Sequence, residues 1–331
     1  MKKLRSLLCR IIPFPSWRQR AVSLYSIVQD ICRGRILKRG ILEWYRKNET
    51  IIACERNGVK YVLASHCRVI TPTIFQDGAF ETTEMHKFFK VSEHFHGRRN
   101  GVFLDVGANI GSGTLTAAQH PMVTHVYAFE PNPLNYALLS ANVCLNALNE
   151  KVTTVNVAVG NESGTIDFSL CKENSGDHRI VTTDEKNTVC TLNEDTRKTI
   201  SVKIITLNDY FRRAADFPHI SYLWVDTQGF EYFVLSGADQ VIRKDTSVVV
   251  EFWPYQMARN NSLDKCLSYM KAHFTHFLIM QNVNTDSTLT PTIIGELDVL
   301  SQKLLGAELG ASCDYVDLFL LNLSEGDGLT T

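Results

Sequence analysis

Gly101–Gly113, GVFLDVGANIGSG, is the stretch whose reading decides the fold. Val102, Phe103 and Leu104 form an apolar run that reads as a buried strand, Asp105 closes it, and glycines 107, 111 and 113 follow in a turn that opens a helix. An apolar strand running into a Gly-rich turn and a helix start is how an open α/β sheet builds a nucleotide pocket at the carboxyl end of its first strand. Glycines let backbone amides approach a ligand closely, and the Asp105 carboxylate is placed to meet a cationic or hydrogen-bond-donating part of it. Gly107-x-x-x-Gly111-x-Gly113 departs from the dinucleotide fingerprint and lacks the Gly-Lys-Ser/Thr of a phosphate loop. A pocket for another nucleoside is therefore favoured over a pyrophosphate cradle.

Downstream, strand and helix alternate. A helix from about Ser112 to His120 stops at Pro121, and a second strand, Val126–Glu130, ends on an acid 19 residues beyond Gly111. A carboxylate at that place commonly accepts both ribose hydroxyls. A longer helix after Pro133 carries Leu134, Leu138, Ala141, Leu145 and Leu148 at helical spacing. Val152–Val157 reads as a third strand, with Thr165–Leu170 pairing back as a hairpin across the Gly160–Gly164 turn. Residues 171–199 are polar and aperiodic, the composition of a functional lid or of disorder. Strands follow at 200–205, Ser221–Asp226, Ser247–Phe252, 276–281 and Tyr315–Asn322, with helices around Phe230–Ser236 and 262–273 between them.

Four stretches in this order, DVGANIG at 105–111, AFEPNP at 128–133, VNVAVG at 155–160 and WVDTQGFEYFVLSGA at 224–238, resemble the FkbM-type methyltransferases. The resemblance covers roughly Phe80 to Phe252. It implies an α/β class I methyltransferase fold, a Rossmann-like, doubly wound, mostly parallel seven-stranded sheet whose last strand is antiparallel. It implies S-adenosyl-L-methionine as cofactor, held by Asp105, Gly107, Ala108, Asn109 and Gly111, with ribose on Glu130 and Asn132 nearby and adenine near Asn156–Ala158. Phe80-Glu81 matches the aromatic-acid pair of the family, and Gln228 stands where many members carry an acid.

Methyl transfer to a hydroxyl needs alignment, water exclusion and a positioned proton acceptor. Asp226, ending the fourth core strand, is the first choice for that base, with Glu231 as its partner across a short turn. Glu231 is equally placed to cap the helix at 230–236. His178, in the polar stretch Ser175–Arg179, is an alternative base or a substrate contact on a lid. Phe80–Phe89 reads as a short helix covering the pocket, which puts Glu81 and Glu84 on the substrate side. A divalent metal, held by Asp226 and another acid such as Glu251, is possible but not favoured; His94-x-His96 has no third ligand nearby.

With 331 residues, 44% of them hydrophobic and 10% aromatic, the chain has ample material for a packed core. A net charge of -1 gives no whole-molecule basic field, so no nucleic-acid partner is expected. Nine cysteines without a CxxC pair fit reduced thiols and a cytoplasmic compartment. Arg10 splits the first apolar run, leaving too little for the core of a signal peptide. Residues 1–40 carry ten Lys/Arg against Asp30 alone, and read as a basic amphipathic segment, helical over about 16–32, either packed on the core with a solvated basic side or suited to peripheral association with an anionic inner membrane face or with glycan enzymes. A hairpin around Asn57-Gly58 follows it.

The expected division is a basic helical and β-hairpin extension over 1–79 and a methyltransferase domain over 80–325. The expected function is O-methylation of a sugar hydroxyl, in a surface polysaccharide or glycolipid precursor, so the expected partner is a sugar or glycan acceptor. Two alternatives remain: a catalytically silent cofactor-binding module in a glycan-assembly complex, and an NAD-dependent dehydrogenase, which the glycine spacing disfavours.

Overall fold

The computed structural model describes residues 38, 41–43, 46–47, 50–181, 197–212, 218–284, 287–306 and 314–323. The helix expected over 16–32 lies outside them.

The hairpin comes first. β1 (Ile51–Arg56) and β2 (Val59–Ala64) pair antiparallel with Arg56 opposite Val59, turning on Asn57 and Gly58 at φ 53° and 78°. It docks on the helix Pro133–Leu145: the Asn142 side chain accepts from Val62 N at 2.6 Å and donates to Val62 O at 3.3 Å. Ile52, Tyr61 and Leu63 are buried in the same apolar cluster as Phe88 and Phe103.

A central sheet of eight strands follows. Its members are β3 (Gly101–Val106), β4 (Val123–Phe129), β5 (Val152–Val155), β10 (Ile220–Val225), β11 (Ser247–Phe252), β12 (His276–Ile279), β13 (Thr292–Ile293) and β14 (Val316–Leu321). Their order is β13-β12-β14-β11-β10-β3-β4-β5. From β5 to β11 all pairings are parallel, whereas β14 runs antiparallel between β11 and β12. This is the expected class I methyltransferase arrangement, with the two-residue β13 added at one edge. β10 and β11 are buried at every residue, which is why their sequences ISYLWV and SVVVEF are continuous rather than alternating.

Packing holds one face of the sheet through the helix Thr82–His96. Phe88 meets Phe103, Tyr222, Trp224 and Phe319 at centroid distances of 5.6 to 6.0 Å, mostly edge to face. The opposite face buries Leu104, Leu223, Val250 and Leu320 under Leu235, Met257, Cys266 and Met270.

A second sheet departs from the sequence reading. β6 (Ala158–Val159), β7 (Gly164–Leu170), β8 (Arg179–Ile180) and β9 (Lys198–Ile205) form a four-stranded sheet in the order β6-β9-β7-β8. The expected third strand stops at Val155, and β7 pairs antiparallel with β9 rather than back onto it. The physical reason is visible in β9, whose alternating exposure suits a half-covered antiparallel partner and not a slot in the buried parallel sheet. Phe168, Ile180, Val202, Ile204 and Phe230 form its own small core.

Candidate active site

The carboxyl ends of β3, β4, β10 and β11 meet in two turns locked together. Gly107 has φ 92°, and a Cβ there would stand 1.8 Å from the Asp226 carbonyl oxygen, so this approach of backbone to backbone requires glycine. Asp226 N donates to Val106 O at 3.0 Å, while Gly107 N and Ala108 N both donate to Phe129 O at 3.0 Å. The first turn is thereby tied to strands on either side.

Glu130 is gripped by backbone at both oxygens: Asn109 N donates to Oε2 at 2.9 Å and Asn132 N to Oε1 at 2.8 Å. Burial pushes its carboxyl up to about 7, against the pull of those two amides. The Asn135 side chain adds a third hydrogen bond to the same carboxylate.

In the second turn Gln228 has φ 56° and Gly229 φ 97°. Glu231, fully buried in the first turn of the helix Glu231–Ser236, folds its Oε1 back to accept from Thr227 N at 2.9 Å, Thr227 Oγ1 at 3.0 Å and Gly229 N at 3.1 Å. Gln228 Nε2 bridges two acids, donating to Asp226 Oδ1 at 2.8 Å and to Glu251 Oε2 and Oε1 at 2.9 and 3.1 Å.

A cavity of about 360 Å³ opens above these strand ends, within the range of small-molecule sites. Gly107, Asn109, Glu130 and Ala158 line one part of it, and Glu81, Asp226, Glu251 and Trp253 another. Residues 174–180 also contribute to its wall. Ser175 O accepts from Asn109 Nδ2 at 3.3 Å and Asn135 Nδ2 at 2.9 Å, and Ser175 Oγ donates to Cys67 Sγ at 3.2 Å. Asp177 is held by Arg179 Nε at 2.7 Å and by Arg197 Nη2 at 2.5 Å, and the Arg179 guanidinium lies 4.8 Å over the Trp253 ring.

The cavity is rich in carboxyls at elevated pKa. Burial first, then Asp226, Asp105, Asp317 and Glu84, push Glu81 well above the ordinary glutamate value. Burial, then Asp226, Glu231 and Asp317, do the same to Glu251. Asp226 is raised by burial, with the hydrogen bonds to Gln228 and Glu251 pulling the other way. Burial lifts Asp105 to about 6 and Asp317 to about 7. Such a set favours a ligand bearing positive charge, and the buried Asn109 Oδ1, without a partner among the described residues, awaits a donor. Among the described residues no three His, Cys, Asp or Glu side chains are grouped as metal ligands.

The profile of the Methyltransferase FkbM domain matches residues 105–277, from the end of the first strand of the central sheet to its sixth strand in chain order, over more than half of the chain. The chain belongs to the FkbM methyltransferase family. Methyltransferase sdnD of Sordaria araneosa is 28% identical over 179 residues, which span 46% of this chain and 67% of that protein. The crystal structure of methyltransferase FkbM from Methylobacillus flagellatus KT overlays with a TM-score of 0.39 at 14% identity, covering 67% of this chain and 43% of that one, so the chain spans less than half the length of that relative. M. jannaschii TYW2, solved in complex with AdoMet, overlays with a TM-score of 0.39 at 12% identity, covering 82% and 86% of the two chains.

Within this FkbM chain the residues singled out in the sequence divide into two groups. Gly107, Asn109, Glu130, Ala158, Glu81, Asp226 and His178 line the cavity. The others brace it. The buried Asp105 accepts from Thr114 Oγ1 at 2.5 Å, and Gly111, φ 90°, would place a Cβ 2.6 Å from Leu139 Cδ1. Ala108 is buried beneath the turn. Asn132 caps the helix Pro133–Leu145, accepting from Leu134 N and Asn135 N at 2.9 Å each. Asn156 Nδ2 donates to the carbonyls of Glu130 and Pro131. Glu231 holds the second turn and is not in the cavity wall, and Glu84 sits in the first turn of the helix Thr82–His96, also outside the wall.

His178 Nδ1 accepts from Cys171 N at 3.0 Å, and burial lowers its pKa to about 4. The ring is therefore neutral with its hydrogen on Nε2, a donor rather than a base. Asn135, Arg179 and Tyr315 line the cavity without having been marked by the sequence. Asn135 carried a signal, a polar residue at helical spacing with Leu138, Leu139 and Asn142 on the buried face of its helix; Arg179 lay in a stretch with no periodicity at all.

Proposed function

We propose that this protein is an S-adenosylmethionine-dependent O-methyltransferase acting on a hydroxyl of a sugar acceptor. The observation that carries the reading is the single cavity wall shared by Glu130, gripped at both oxygens, and Asp226, at the next strand end but one. Glu130 with Asn109 suits a ribose diol: a carboxylate as hydroxyl acceptor and, beside it, a buried amide oxygen without a partner among the described residues. Glu81, Asp226 and Glu251 suit a cationic centre between them.

When bound, S-adenosylmethionine would supply an electrophilic methyl group on a sulfonium. The chain's own work is to hold and dry that meeting point. Asp226 takes the proton of the acceptor hydroxyl, Glu231 fixes the turn that presents Asp226, and residues 174–180 exclude water. Tyr315, exposed in the wall 6.4 Å from the buried Trp253, offers an aromatic face on which a sugar ring stacks.

A sugar within a polysaccharide or glycolipid precursor is proposed as the acceptor, with cytoplasmic residence in keeping with the free thiols Cys54, Cys67, Cys144, Cys171 and Cys266. Among the described residues no helix is long and apolar enough to cross a membrane. Any attachment to a membrane face or to glycan enzymes is assigned to the basic segment 1–40, nearly all of it outside the described residues.

The test uses S-adenosylmethionine labelled in its methyl group and glycans extracted from cells lacking the protein. Label should enter the glycan fraction with the wild-type protein, and Asp226→Asn should lower the rate by a factor on the order of 10²–10⁴ while leaving cofactor affinity within a few-fold. Undiminished transfer by Asp226→Asn would remove the base assignment.

A further inference from the structure

We propose that Gln228 is a positioning residue that sets the charge of the base, its amide bridging Asp226 and Glu251 so that the two carboxyls share one proton and the negative charge rests on Asp226. The proposal rests on the assignment of Asp226 as proton acceptor and goes beyond it.

The geometry is specific. Gln228 sits at φ 56°, an uncommon conformation for a residue with a side chain, and in it Nε2 lies 2.8 Å from Asp226 Oδ1 and 2.9 Å from Glu251 Oε2. One amide nitrogen has two hydrogens, one for each acid. The conformation is secured from beneath, because Glu231 Oε1 accepts from the amides of Thr227 and Gly229 on either side of Gln228. Glu251 is the deeper of the two acids, at the end of the fully buried β11, whereas Asp226 is only half-buried. Two carboxyls that interact this closely cannot both ionise cheaply, and the deeper one keeps the proton.

Every element packed around the pair adds to that pressure. Glu81 comes from the start of the helix Thr82–His96, Asp105 from β3, Glu231 from the turn itself, and Tyr315 and Asp317 from the start of β14. Among the described residues the one cation in the cavity wall, Arg179, is engaged by Asp177 and Gln256. Gln228 is thus a neutral donor at the centre of an acidic set. An acid in its place would add a further negative charge, and an apolar residue would remove the hydrogen bonds that favour the ionised form of both Asp226 and Glu251.

The experiment is a carbon-13 NMR titration of Asp and Glu side-chain carboxyls in the purified full chain without cofactor. Asp226→Asn and Glu251→Gln assign the two signals. In the wild type Asp226 should titrate below Glu251, and Asp226→Asn should lower the Glu251 midpoint. Gln228→Met, which keeps the length and loses the donor, should raise the Asp226 midpoint by about 1 pH unit or more. Gln228→Glu, isosteric and carrying a charge, should raise it as well and guards against a fold defect in the first variant. Unmoved Asp226 midpoints in both variants would overturn the proposal, as would a Glu251 midpoint indifferent to Asp226→Asn. Because no methyl transfer is measured, this outcome is independent of whether the protein is active on a glycan.

Discussion

Gly107 and Asp226 touch backbone to backbone: the glycine's missing Cβ would fall 1.8 Å from the Asp226 carbonyl oxygen. This contact brings the ligand-facing turn after β3 against the turn that presents the candidate base. Gly107→Ala has no relief, because the obstructing atom is main chain and φ is 92°. The substitution should cost about 3 kcal/mol of stability and abolish measurable cofactor binding, as checked by thermal unfolding and calorimetry.

Glu130 joins the first turn to the second strand through Asn109 and Asn132. Glu130→Gln keeps the size but loses the charged acceptor. Affinity for S-adenosylmethionine should fall about 10- to 100-fold, the usual worth of hydrogen bonds to a charged group. Calorimetry measures this, with circular dichroism to establish that the variant is folded.

Glu231→Ala should act on folding before chemistry. Its Oε1 satisfies two backbone amides and one hydroxyl in a turn where two consecutive residues have positive φ. Removing it leaves those groups without a partner and should lower stability by about 2–4 kcal/mol, seen as a lower denaturant midpoint. Glu231→Gln retains an acceptor and should cost less.

Stability of the cofactor-free protein should fall with rising pH. Burial raises Asp105 from 3.8 to about 6, Glu130 and Glu231 from 4.5 to about 7, and Asp317 from 3.8 to about 7. Between the unfolded and folded values the native state binds more protons, so its advantage is full below pH 4 and is lost as pH climbs through 7. The melting temperature should drop by on the order of 5 °C between pH 5 and pH 8, and S-adenosylmethionine, by compensating the carboxylates, should raise it more at pH 8 than at pH 5. A melting temperature that rises over this interval would contradict the placement of these acids.

The sequence carried most of the parallel sheet because buried parallel strands announce themselves: YLWV in β10 and VVVEF in β11 are apolar runs ending on acids. The Asp105–Gly111 turn and Glu130 were legible for the same reason, as interruptions at strand ends. What pattern alone concealed was the division of labour among them. Gly111 looks like a ligand glycine, yet it lies outside the cavity wall, at φ 90° and against Leu139. Glu231 reads as a catalytic acid, yet its carboxylate turns back into the backbone. The second sheet was hidden because β6 and β8 are two residues each, too short to show a period. Arg179 and Asp177 become visible only when Arg197 closes on them from across the chain.

The central claim, a site built for S-adenosylmethionine on Glu130, Asn109 and the acids around Asp226, is tested most directly by titrating the purified chain with S-adenosylmethionine and, separately, with NAD in a calorimeter. S-adenosylmethionine should bind saturably at roughly micromolar strength, weakened by Glu130→Gln, and NAD should give no heat of binding. Binding of NAD without binding of S-adenosylmethionine would contradict it.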